Sequence, residues 1–325
     1  MSVLDWSAPY TGFVELAQQS GLVFARSAIT IGNFDGVHLG HQSLLRRLRH
    51  EANELARTES SAPPLPTFAL TFDPPPLFYI NPSALPPALT TLPQRLQLLQ
   101  QYVDHVVVIR TEPSLLQYTA TDFFELILSQ FRPRLIVEGT NFRFGRGRQG
   151  DVALLTQWCS RAGVRFVEVA PFERDGRVVS SSRVRAALAA GNVAEARVCL
   201  GRPHRLIGTV VGGARRGQTI GFPTANLDHL QTLVPAEGVY AARVPRPDRV
   251  YPAALNIGPN PTFGENRRKI EVHLIGFAGD LYGQTLQVDL LQYLRPTRSF
   301  AGPADLIAQL QTDVQRSRQI AEQEG

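Results

Sequence analysis

The hydrophobic pattern of this chain changes near residue 200, and this change limits the available folds more than any other feature. Before it, short apolar runs alternate with stretches such as 44–55, where apolar residues recur at helical spacing. Alternating strands and helices are typical of a parallel sheet covered on both faces. We therefore predict an α/β fold for the first part of the chain. Its predicted strands are Ala28–Ile31, Phe68–Phe72, Val106–Ile109, Leu135–Val137 and Val164–Val169.

Polar and proline-rich segments mark helix starts and loops in this part. Asp122, with Glu125 three residues later, predicts a capping box for a helix over Phe123–Phe131. The proline-rich segments 62–66 and 74–87 are predicted loops within the same domain, so they do not mark a domain boundary.

Beyond residue 200 the chain consists mainly of short strand-like runs separated by Gly, Pro and Asn turns. This pattern predicts a small antiparallel β-barrel. Two short helices, over Arg183–Ala190 and Val193–Leu200, precede it, and apolar residues four apart over 306–314 predict a closing helix. The predicted strands are Arg205–Val211, Val239–Val244, Ala253–Ile257, Ile270–Ile275 and Leu286–Leu291.

The composition excludes several classes of protein. With 325 residues, 43% of them hydrophobic, the chain is long enough for two domains and too apolar to be wholly disordered. No run approaches the ~18 apolar residues of a membrane-spanning helix, so we expect no membrane partner. Cys159 and Cys199 fit no metal or disulfide spacing, which predicts reduced thiols and a cytoplasmic protein.

The net charge of +5 comes almost entirely from arginine, because Lys269 is the only lysine. Arginine binds phosphate through a planar fork, which suits both nucleotides and nucleic acids. The arginines are spread along the chain, and the basic clusters at 46–47 and 267–269 are short. We therefore expect no nucleic-acid partner.

The segment Gly32–His41 carries the first chemical signal. It follows a predicted buried strand, contains glycines that allow a tight turn, and leads directly into a helix. A helix N-terminus presents unpaired N–H groups and a partial positive charge, so it binds phosphate. His38 and His41 are three residues apart and share one face of the first turn. Two imidazoles there can stabilise the charge that develops as pyrophosphate leaves a triphosphate.

Three further segments of this part each have a structural as well as a functional interpretation. Thr71–Pro74 fits a strand end before a proline-rich loop, and Gly139–Gly145 fits a glycine-bounded turn with two core phenylalanines. Ser180–Arg185 fits an N-cap followed by a helix. In the functional interpretation, this last segment is a second anion-binding site, which includes Arg185.

The C-terminal part carries a second phosphate signal. Gly213–Gly217 precedes Gly221–Asn226, and glycines let a backbone wrap closely around phosphates. Thr224 and Asn226 lie two apart in an extended segment and point the same way. A hydroxyl and an amide oxygen are hard ligands that suit Mg²⁺ with a nucleotide phosphate. A glycine- and proline-rich barrel connection is the alternative interpretation.

Glu271 is the candidate base of this second signal. In Ile270–Leu274 the apolar side chains alternate with Glu271 and His273, which therefore share the other strand face. A carboxylate there could accept the proton of a hydroxyl that attacks a γ-phosphate. Without other support, a solvated strand face explains Glu271 as well.

The N-terminal motifs together resemble a known family. Gly32–His41 resembles the GxFDGxHxGH signature of the nucleotidyltransferase superfamily, and specifically that of bacterial bifunctional riboflavin kinase/FAD synthetases. Thr71–Pro74 resembles the family's TFDPHP segment, and Gly139–Gly145 resembles its GxNFxFG loop. Ser180–Arg185 resembles its SSTxIR segment, which binds the ATP triphosphate in the family.

The C-terminal motifs resemble the same family. Gly221–Asn226 is similar to its GxPTAN motif, 256–263 to its NxGxNPTF segment, and Glu271 falls on its ExH strand. The segments 281–283 and 294–300 match its closing LYG and LRxxxxF motifs. The resemblance covers nearly the whole chain, roughly residues 13 to 320.

The resemblance implies two domains and two consecutive reactions. It implies a Rossmann-like nucleotidyltransferase domain over 1–186 and a riboflavin kinase barrel with its closing helix over 187–325. The second domain would phosphorylate riboflavin with ATP and Mg²⁺ to give FMN. The first would then adenylylate FMN with a second ATP to give FAD and pyrophosphate. Whether the chain forms a homo-oligomer is left open.

The resemblance also implies roles for individual residues. Glu271 would be the kinase base, His38 and His41 would act in adenylyl transfer, and Thr224 and Asn226 would bind the metal. The residues implied in ATP binding are Gly32, Asn33, Phe34, Asp35, Gly40, Asn141, Ser181, Ser182, Arg185, Gly213, Arg216, Gly217, Thr224 and Asn226.

The sequence departs from the family at a few positions. Pro75 stands where the family usually has histidine, so any nucleotide contact of that side chain is missing here. An alternative is therefore that only one activity is retained, the kinase alone. Ser182 replaces threonine and keeps the hydroxyl, while Arg215 and Thr297 replace a small residue and a glutamate, which predicts altered loop detail.

Two alternatives come from other functional classes. Class I aminoacyl-tRNA synthetases also contain an HxGH motif, but their second signature is lysine-rich, and Lys269 lies in the other domain. A non-catalytic flavin- or RNA-binding protein would explain the basic charge but not two nucleotide signatures.

Overall fold

The computed structural model describes residues 2–10, 12–22, 24–58, 65–213, 216–260 and 265–324. The chain folds into two compact units. The N-terminal unit comprises 1–86 and 92–179, and the C-terminal unit comprises 87–91 and 180–325. No helix in the described part of the chain is both long and apolar enough to cross a membrane.

The N-terminal unit is built on a sheet of six parallel strands, which confirms the predicted α/β fold. Its strands are β1 (Ser2–Trp6), β2 (Ser27–Ile31), β3 (Thr67–Asp73), β4 (His105–Arg110), β5 (Pro133–Gly139) and β6 (Arg165–Val169). Their order in the sheet is β1-β4-β3-β2-β5-β6. The chain leaves β2 toward β3 on one side, and β5 lies on the other. The sheet therefore has its topological switch point between β2 and β5, where open α/β sheets bind ligands beyond the carboxyl ends.

Helices cover both faces of this sheet. They are α1 (Phe13–Gln19), α2 (Leu39–Thr58), α3 (Leu77–Ile80), α4 (Leu92–Leu99), α5 (Ala120–Phe131) and α6 (Val152–Ala162). Successive residues of β2 enter different cores: Ala28 packs with α2 and α4, and Ile29 packs with α1 and α5. Strand side chains alternate between faces, and all five residues of β2 are buried, so both of its faces are covered. Three of them are apolar, and the hydroxyls of Ser27 and Thr30 donate hydrogen bonds to the Phe131 carbonyl and to Glu138.

The start of α5 differs from the prediction. Thr119, not Asp122, is the N-cap: its side chain accepts a hydrogen bond from the Asp122 N–H, and the Asp122 carboxylate accepts one from the Thr119 N–H. This reciprocal pair of hydrogen bonds is a capping box with Asp122 at the third helical position. The helix therefore begins three residues before the predicted start.

A short hairpin of β7 (Glu173–Arg174) and β8 (Arg177–Val178) ends the N-terminal unit. In the C-terminal unit, two helices precede the barrel, α7 (Ser181–Ala189) and α8 (Val193–Leu200), as predicted. The serine run caps α7, because the Ser180 hydroxyl accepts a hydrogen bond from the Arg183 N–H at 3.2 Å.

The rest of the C-terminal unit is a closed antiparallel barrel of six strands with a long final helix, which confirms the predicted barrel. Its elements are β9 (His204–Val211), α9 (Arg216–Thr219), β10 (Ala225–Asp228), β11 (Gly238–Pro245), β12 (Val250–Asn260), β13 (Glu265–Leu274), β14 (Thr285–Arg295) and α10 (Pro303–Gln323). The strands follow each other around the barrel as β10-β13-β12-β11-β14-β9.

Candidate active sites

The loop between β2 and α2 is a strained turn. Phe34, Gly36 and Val37 have φ angles of 48°, 84° and 38°, in the left-handed region. A β-branched residue such as Val37 rarely adopts this conformation, because its branched carbon crowds the backbone. The turn is held internally by the Val37 N–H, which donates to the Phe34 carbonyl at 3.0 Å. The Gln42 amide donates to the Val37 carbonyl at 3.0 Å.

The turn brings His38 and His41 into contact. Their rings stack with centroids 3.7 Å apart and planes inclined by 19°. The His41 backbone N–H donates to Nδ1 of His38 at 3.3 Å. This bond makes Nδ1 of His38 an acceptor, so the Nε2 atom carries the ring proton in the neutral form.

His41 is held in its neutral form. Burial lowers the pKa of His41 well below its usual range, and the nearby His38 and Arg95 charges lower it further. Its Nδ1 atom is buried without a hydrogen-bond partner among the described residues. A neutral imidazole contributes a hydrogen-bond donor without the cost of burying a second cation beside Arg95.

Packing explains two glycines of this motif. A Cβ atom on Gly40 would lie 3.1 Å from both the His38 ring and the Val179 carbonyl oxygen. A Cβ atom on Gly32 would lie 3.3 Å from the Phe34 ring. Both glycines therefore permit the close approach of the turn to the histidine pair.

Arg95 is a site residue that sequence reasoning missed. It lies on α4, and its Nη1 atom donates to the Asn33 and Phe72 carbonyls at 3.0 and 3.1 Å. It also donates to the Thr71 hydroxyl at 3.3 Å. The only signal in the sequence is its position four residues before Leu99, the other buried residue of α4.

Glu138 lies at the switch point of the sheet. The paired residues of β2 and β5 end at Ile29 and Ile136, and beyond them the Glu138 carboxylate accepts a hydrogen bond from the Ile31 N–H at 2.6 Å. Burial raises the pKa of Glu138 well above its usual range. Asn141 follows β5 at the same edge of the sheet and is exposed.

The residues predicted from the serine segment lie on α7 of the C-terminal unit. Ser181 and Ser182 form its first turn. Arg183 is buried and pairs with Glu195 at 2.7 Å. The Arg185 Nε atom donates to the Pro87 carbonyl at 3.0 Å.

In the barrel, two glycines are required by close contacts around the predicted phosphate loop. A Cβ atom on Gly213 would lie 2.0 Å from the Asn226 amide nitrogen. A Cβ atom on Gly217 would lie 2.2 Å from the Phe222 carbonyl oxygen, and the Phe222 N–H donates to the Gly217 carbonyl at 2.8 Å. Residues 214–215 and 261–264 lie outside the described residues, as does the side chain of Arg216.

Three polar residues face each other across adjacent strands. Glu271 on β13 lies directly opposite Asn226 on β10 and opposite Asn256 on β12. Directly opposed residues of antiparallel strands project to the same face, so the three side chains form one row. Glu271 is half-buried, and Thr224 is exposed immediately before β10. Asn256, which the sequence analysis did not assign to the site, completes this row.

His273 holds the loop that leads into β10. Its Nδ1 atom lies 2.7 Å from the Pro223 carbonyl oxygen, and its ring meets the Phe222 ring edge-on at 5.7 Å. Because His273 lies two residues after Glu271 on β13, one strand face supports both the carboxylate and the loop that carries Thr224.

The donor atoms near this row fit a hard cation that is held partly by phosphate. Among the described residues there is no cluster of three His, Cys, Asp or Glu side chains that could hold a metal ion alone. Thr224 and Asn226 instead offer a hydroxyl and an amide oxygen. Mg²⁺ prefers such a sparse set of oxygen ligands completed by substrate phosphates and water.

Comparisons with known proteins match both parts of the chain. The FAD synthetase family model matches residues 23–183, and the riboflavin kinase family model matches residues 200–321. A bifunctional riboflavin kinase/FMN adenylyltransferase of Escherichia coli (strain K12) is 37% identical over 307 residues, which cover 94% of each chain. A relative of the same description from Haemophilus influenzae is 34% identical over 90% of this chain and 93% of its own.

A solved structure gives the same result for the fold. The crystal structure described as a macrolide-efflux protein from Streptococcus pneumoniae has a TM-score of 0.78 and 31% sequence identity. The match covers 92% of this chain and 96% of that chain. With both family models matched in order and relatives above 30% identity over most of its length, the chain belongs to the family of bifunctional riboflavin kinase/FMN adenylyltransferases.

Proposed function

We propose that the C-terminal unit phosphorylates riboflavin to FMN with ATP, and that the N-terminal unit adenylylates FMN to FAD with a second ATP. The main observation in support of the first reaction is the row of Asn226, Glu271 and Asn256 beside a glycine-bounded loop. The stacked His38–His41 pair at the start of α2 supports the second reaction.

In the kinase reaction, the riboflavin 5′-oxygen attacks the γ-phosphorus of ATP. The bond from that phosphorus to the β,γ-bridging oxygen breaks, ADP leaves, and Glu271 accepts the hydroxyl proton. Gly213, Arg216 and Gly217 line the ATP phosphates. His273 orients Thr224 through the Pro223 carbonyl.

We assign the metal of this reaction to Thr224 and Asn226, whose oxygen donors fit Mg²⁺. When bound, Mg²⁺ neutralises the charge of the phosphates. Asn226 is well placed for this role because Gly213 lets the backbone approach its amide group closely.

In the adenylyl transfer, a phosphate oxygen of FMN attacks the α-phosphorus of ATP, and the bond to the α,β-bridging oxygen breaks. Pyrophosphate leaves with the charge of that oxygen. His38 and His41 donate hydrogen bonds to the triphosphate, so they stabilise this charge without forming a covalent intermediate. Gly32, Asn33, Phe34 and Asp35 form the nucleotide loop, and Gly40 in the first turn of α2 completes the nucleotide site.

We assign four further residues to this reaction. Asn141, exposed at the end of β5, aligns the substrate. The family resemblance assigns Ser181, Ser182 and Arg185 to the binding of the triphosphate.

The proposed domain limits are 1–186 for the FMN adenylyltransferase and 187–325 for the riboflavin kinase. The family models support a boundary in this region, because the first ends at residue 183 and the second begins at residue 200. A cytoplasmic location is proposed as well, and it is supported by two cysteines, Cys159 and Cys199, that are buried and not joined in a disulfide.

Retention of the kinase alone is the alternative, and Pro75 is the observation that favours it. Proline lacks the hydrogen-bonding ring that a histidine would offer to a nucleotide. An N-terminal site that is inactive for this reason would leave FMN as the final product.

Paired substitutions test the assignment of one reaction to each unit. His38→Ala should reduce the conversion of FMN to FAD by roughly 10²–10³-fold, because a donor to the developing charge is lost. Glu271→Gln should reduce FMN formation from riboflavin by roughly 10²–10⁴-fold, because the base is lost. Each variant serves as the control for the other, since its second activity should stay at the wild-type rate. Parallel loss of both activities in either folded variant would falsify the assignment.

A further inference from the structure

The proposed reactions give no role to Arg95, although it is a buried charged residue of the N-terminal unit. Its side chain is 6% exposed, and its hydrogen bonds go to neutral oxygen atoms. Its Nε atom is buried without a partner among the described residues. A buried cation that makes no direct hydrogen bond to a carboxylate among the described residues is costly. Such a cost suggests a function beyond filling space.

Arg95 contacts the strained turn where it begins. Residues in rare backbone conformations persist only when their surroundings hold them, and here Phe34 and Val37 both have positive φ angles. Arg95 binds the Asn33 carbonyl immediately before Phe34, and Gln42 binds the Val37 carbonyl at the other end. The turn that leads to the histidine pair is thus held at both ends by side chains.

The charge of Arg95 also acts on the histidine pair. Arg95 is among the causes that lower the pKa of His41, after burial and His38. Burial lowers the pKa of Arg95, and the charges of Asp35 and Asp73 oppose this shift because they favour its cationic form. A glutamine at this position is two bonds shorter, so its amide would not reach the Asn33 carbonyl as the Nη1 atom of Arg95 does, and it would not supply this positive charge.

We propose that Arg95 is a positioning residue for adenylyl transfer, which holds the strained turn between β2 and α2 so that His38 and His41 face the triphosphate. The inference rests on the proposed adenylyl transfer of the N-terminal unit. It assigns to Arg95 no contact with the substrate.

Kinetics of Arg95 variants in the full chain test the inference. Arg95→Met should lower kcat for FAD formation from FMN by about 10²-fold, as expected when reacting groups are misplaced by about 1 Å. Its KM for ATP should change less than about threefold, because the interaction affects the transition state more than ground-state binding. Arg95→Lys should keep most of the activity, since one nitrogen makes all three bonds and an ammonium has three donors.

Two controls separate positioning from general damage. Riboflavin phosphorylation by the same preparation should remain at the wild-type rate. Arg57→Met, which removes an exposed arginine paired with Glu54 at the end of α2, should change neither activity.

The outcomes distinguish this inference from the proposed function. If wild-type protein makes no FAD from FMN, the proposed function is wrong. If wild type makes FAD and Arg95→Met keeps kcat within about twofold, or raises only KM, the inference is wrong. Should Arg95→Met fail to fold, Arg95→Gln decides: kcat at least about tenfold lower supports the inference, and a smaller loss overturns it.

Discussion

At the scale of single residues, Glu138 links the fold of the N-terminal unit to its candidate site. Its carboxyl group occupies the point where β2 and β5 separate, and it accepts the hydrogen bond of the Ile31 N–H directly before the nucleotide loop. Burial favours its protonated form, so the folded chain holds a proton that the unfolded chain loses above about pH 4.5. Stability must therefore depend on the charge of this one group.

The sign of this dependence gives a prediction. A folded-state pKa raised above the unfolded value means that the folded state binds more protons, so the Glu138 contribution to stability falls as pH rises from about 4.5 toward that raised pKa. Glu138→Gln keeps the acceptor oxygen and has no proton to lose. Urea unfolding between about pH 5 and 8 should show the variant gaining stability relative to wild type as pH rises. A constant difference across this range would show that Glu138 is ionised in the folded chain.

Some residues of the candidate sites could be predicted from the sequence, and others could not. His38, His41 and Glu271 could be named as candidates because each belongs to a contiguous motif whose element the sequence also indicates. Arg95 and Glu138 could not, because their roles arise from long-range contacts with Asn33 and Ile31. An isolated arginine or glutamate in a sequence carries no sign of the backbone group that it meets.

At the scale of elements, the strands and helices with strong apolar patterns could be predicted, and weakly apolar strands such as β1 and β10 could not. β10 is four residues long and alternates polar with apolar residues directly after a proline loop. β1 buries only Leu4 and Trp6 at the edge of the sheet. Both strands are defined by pairing with distant partners, β10 with β9 and β13 and β1 with β4, which local patterns do not contain.

The final helix shows that a family motif can have a structural role. Arg295, in the LRxxxxF segment, forms a two-pronged salt bridge from β14 to Asp313 of α10. Asp313 is 2% exposed, and Gln309 donates to its second oxygen at 2.9 Å. The salt bridge fastens the closing helix to the barrel, and it accounts for this arginine without a part in catalysis.

The glycine loop before β10 gives an element-scale prediction. In Gly217→Ala, the new Cβ atom would overlap the Phe222 carbonyl oxygen, so the backbone that leads to Thr224 must shift. Misplacement of reacting groups by about 1 Å can cost about 10²-fold in rate, so riboflavin phosphorylation should slow by roughly ten- to a hundredfold. Steady-state assays of both reactions should show FAD formation from FMN unchanged.

Gly302→Ala is the matched control for this variant. Gly302 has an extended backbone with a φ of −162°, and no described atom lies within 4 Å of the position that an added Cβ atom would take. Its kinase activity should equal that of wild type. Equal rates for Gly217→Ala and Gly302→Ala would show that the loop tolerates the shift and does not position the phosphates.

At the scale of the whole molecule, the two units differ in architecture and each carries one nucleotide signature. The change of hydrophobic pattern near residue 200 correctly predicted a parallel sheet followed by an antiparallel barrel. It did not predict that 87–91 belongs to the C-terminal unit, where the Ala88 carbonyl accepts a hydrogen bond from the Leu233 N–H at 2.8 Å. A contact between positions so far apart in sequence leaves no local pattern.

The central claim, that one chain carries out both reactions in order, is tested most directly by the flavin products. Pure protein is mixed with riboflavin, ATP and Mg²⁺, and the flavins are separated by chromatography over time, with FMN as a parallel starting substrate. We predict that FMN appears first and is then converted to FAD, and that FMN as the starting substrate gives FAD without a lag. FMN as the final product from riboflavin, with no FAD from either substrate, would contradict the claim and leave a riboflavin kinase alone.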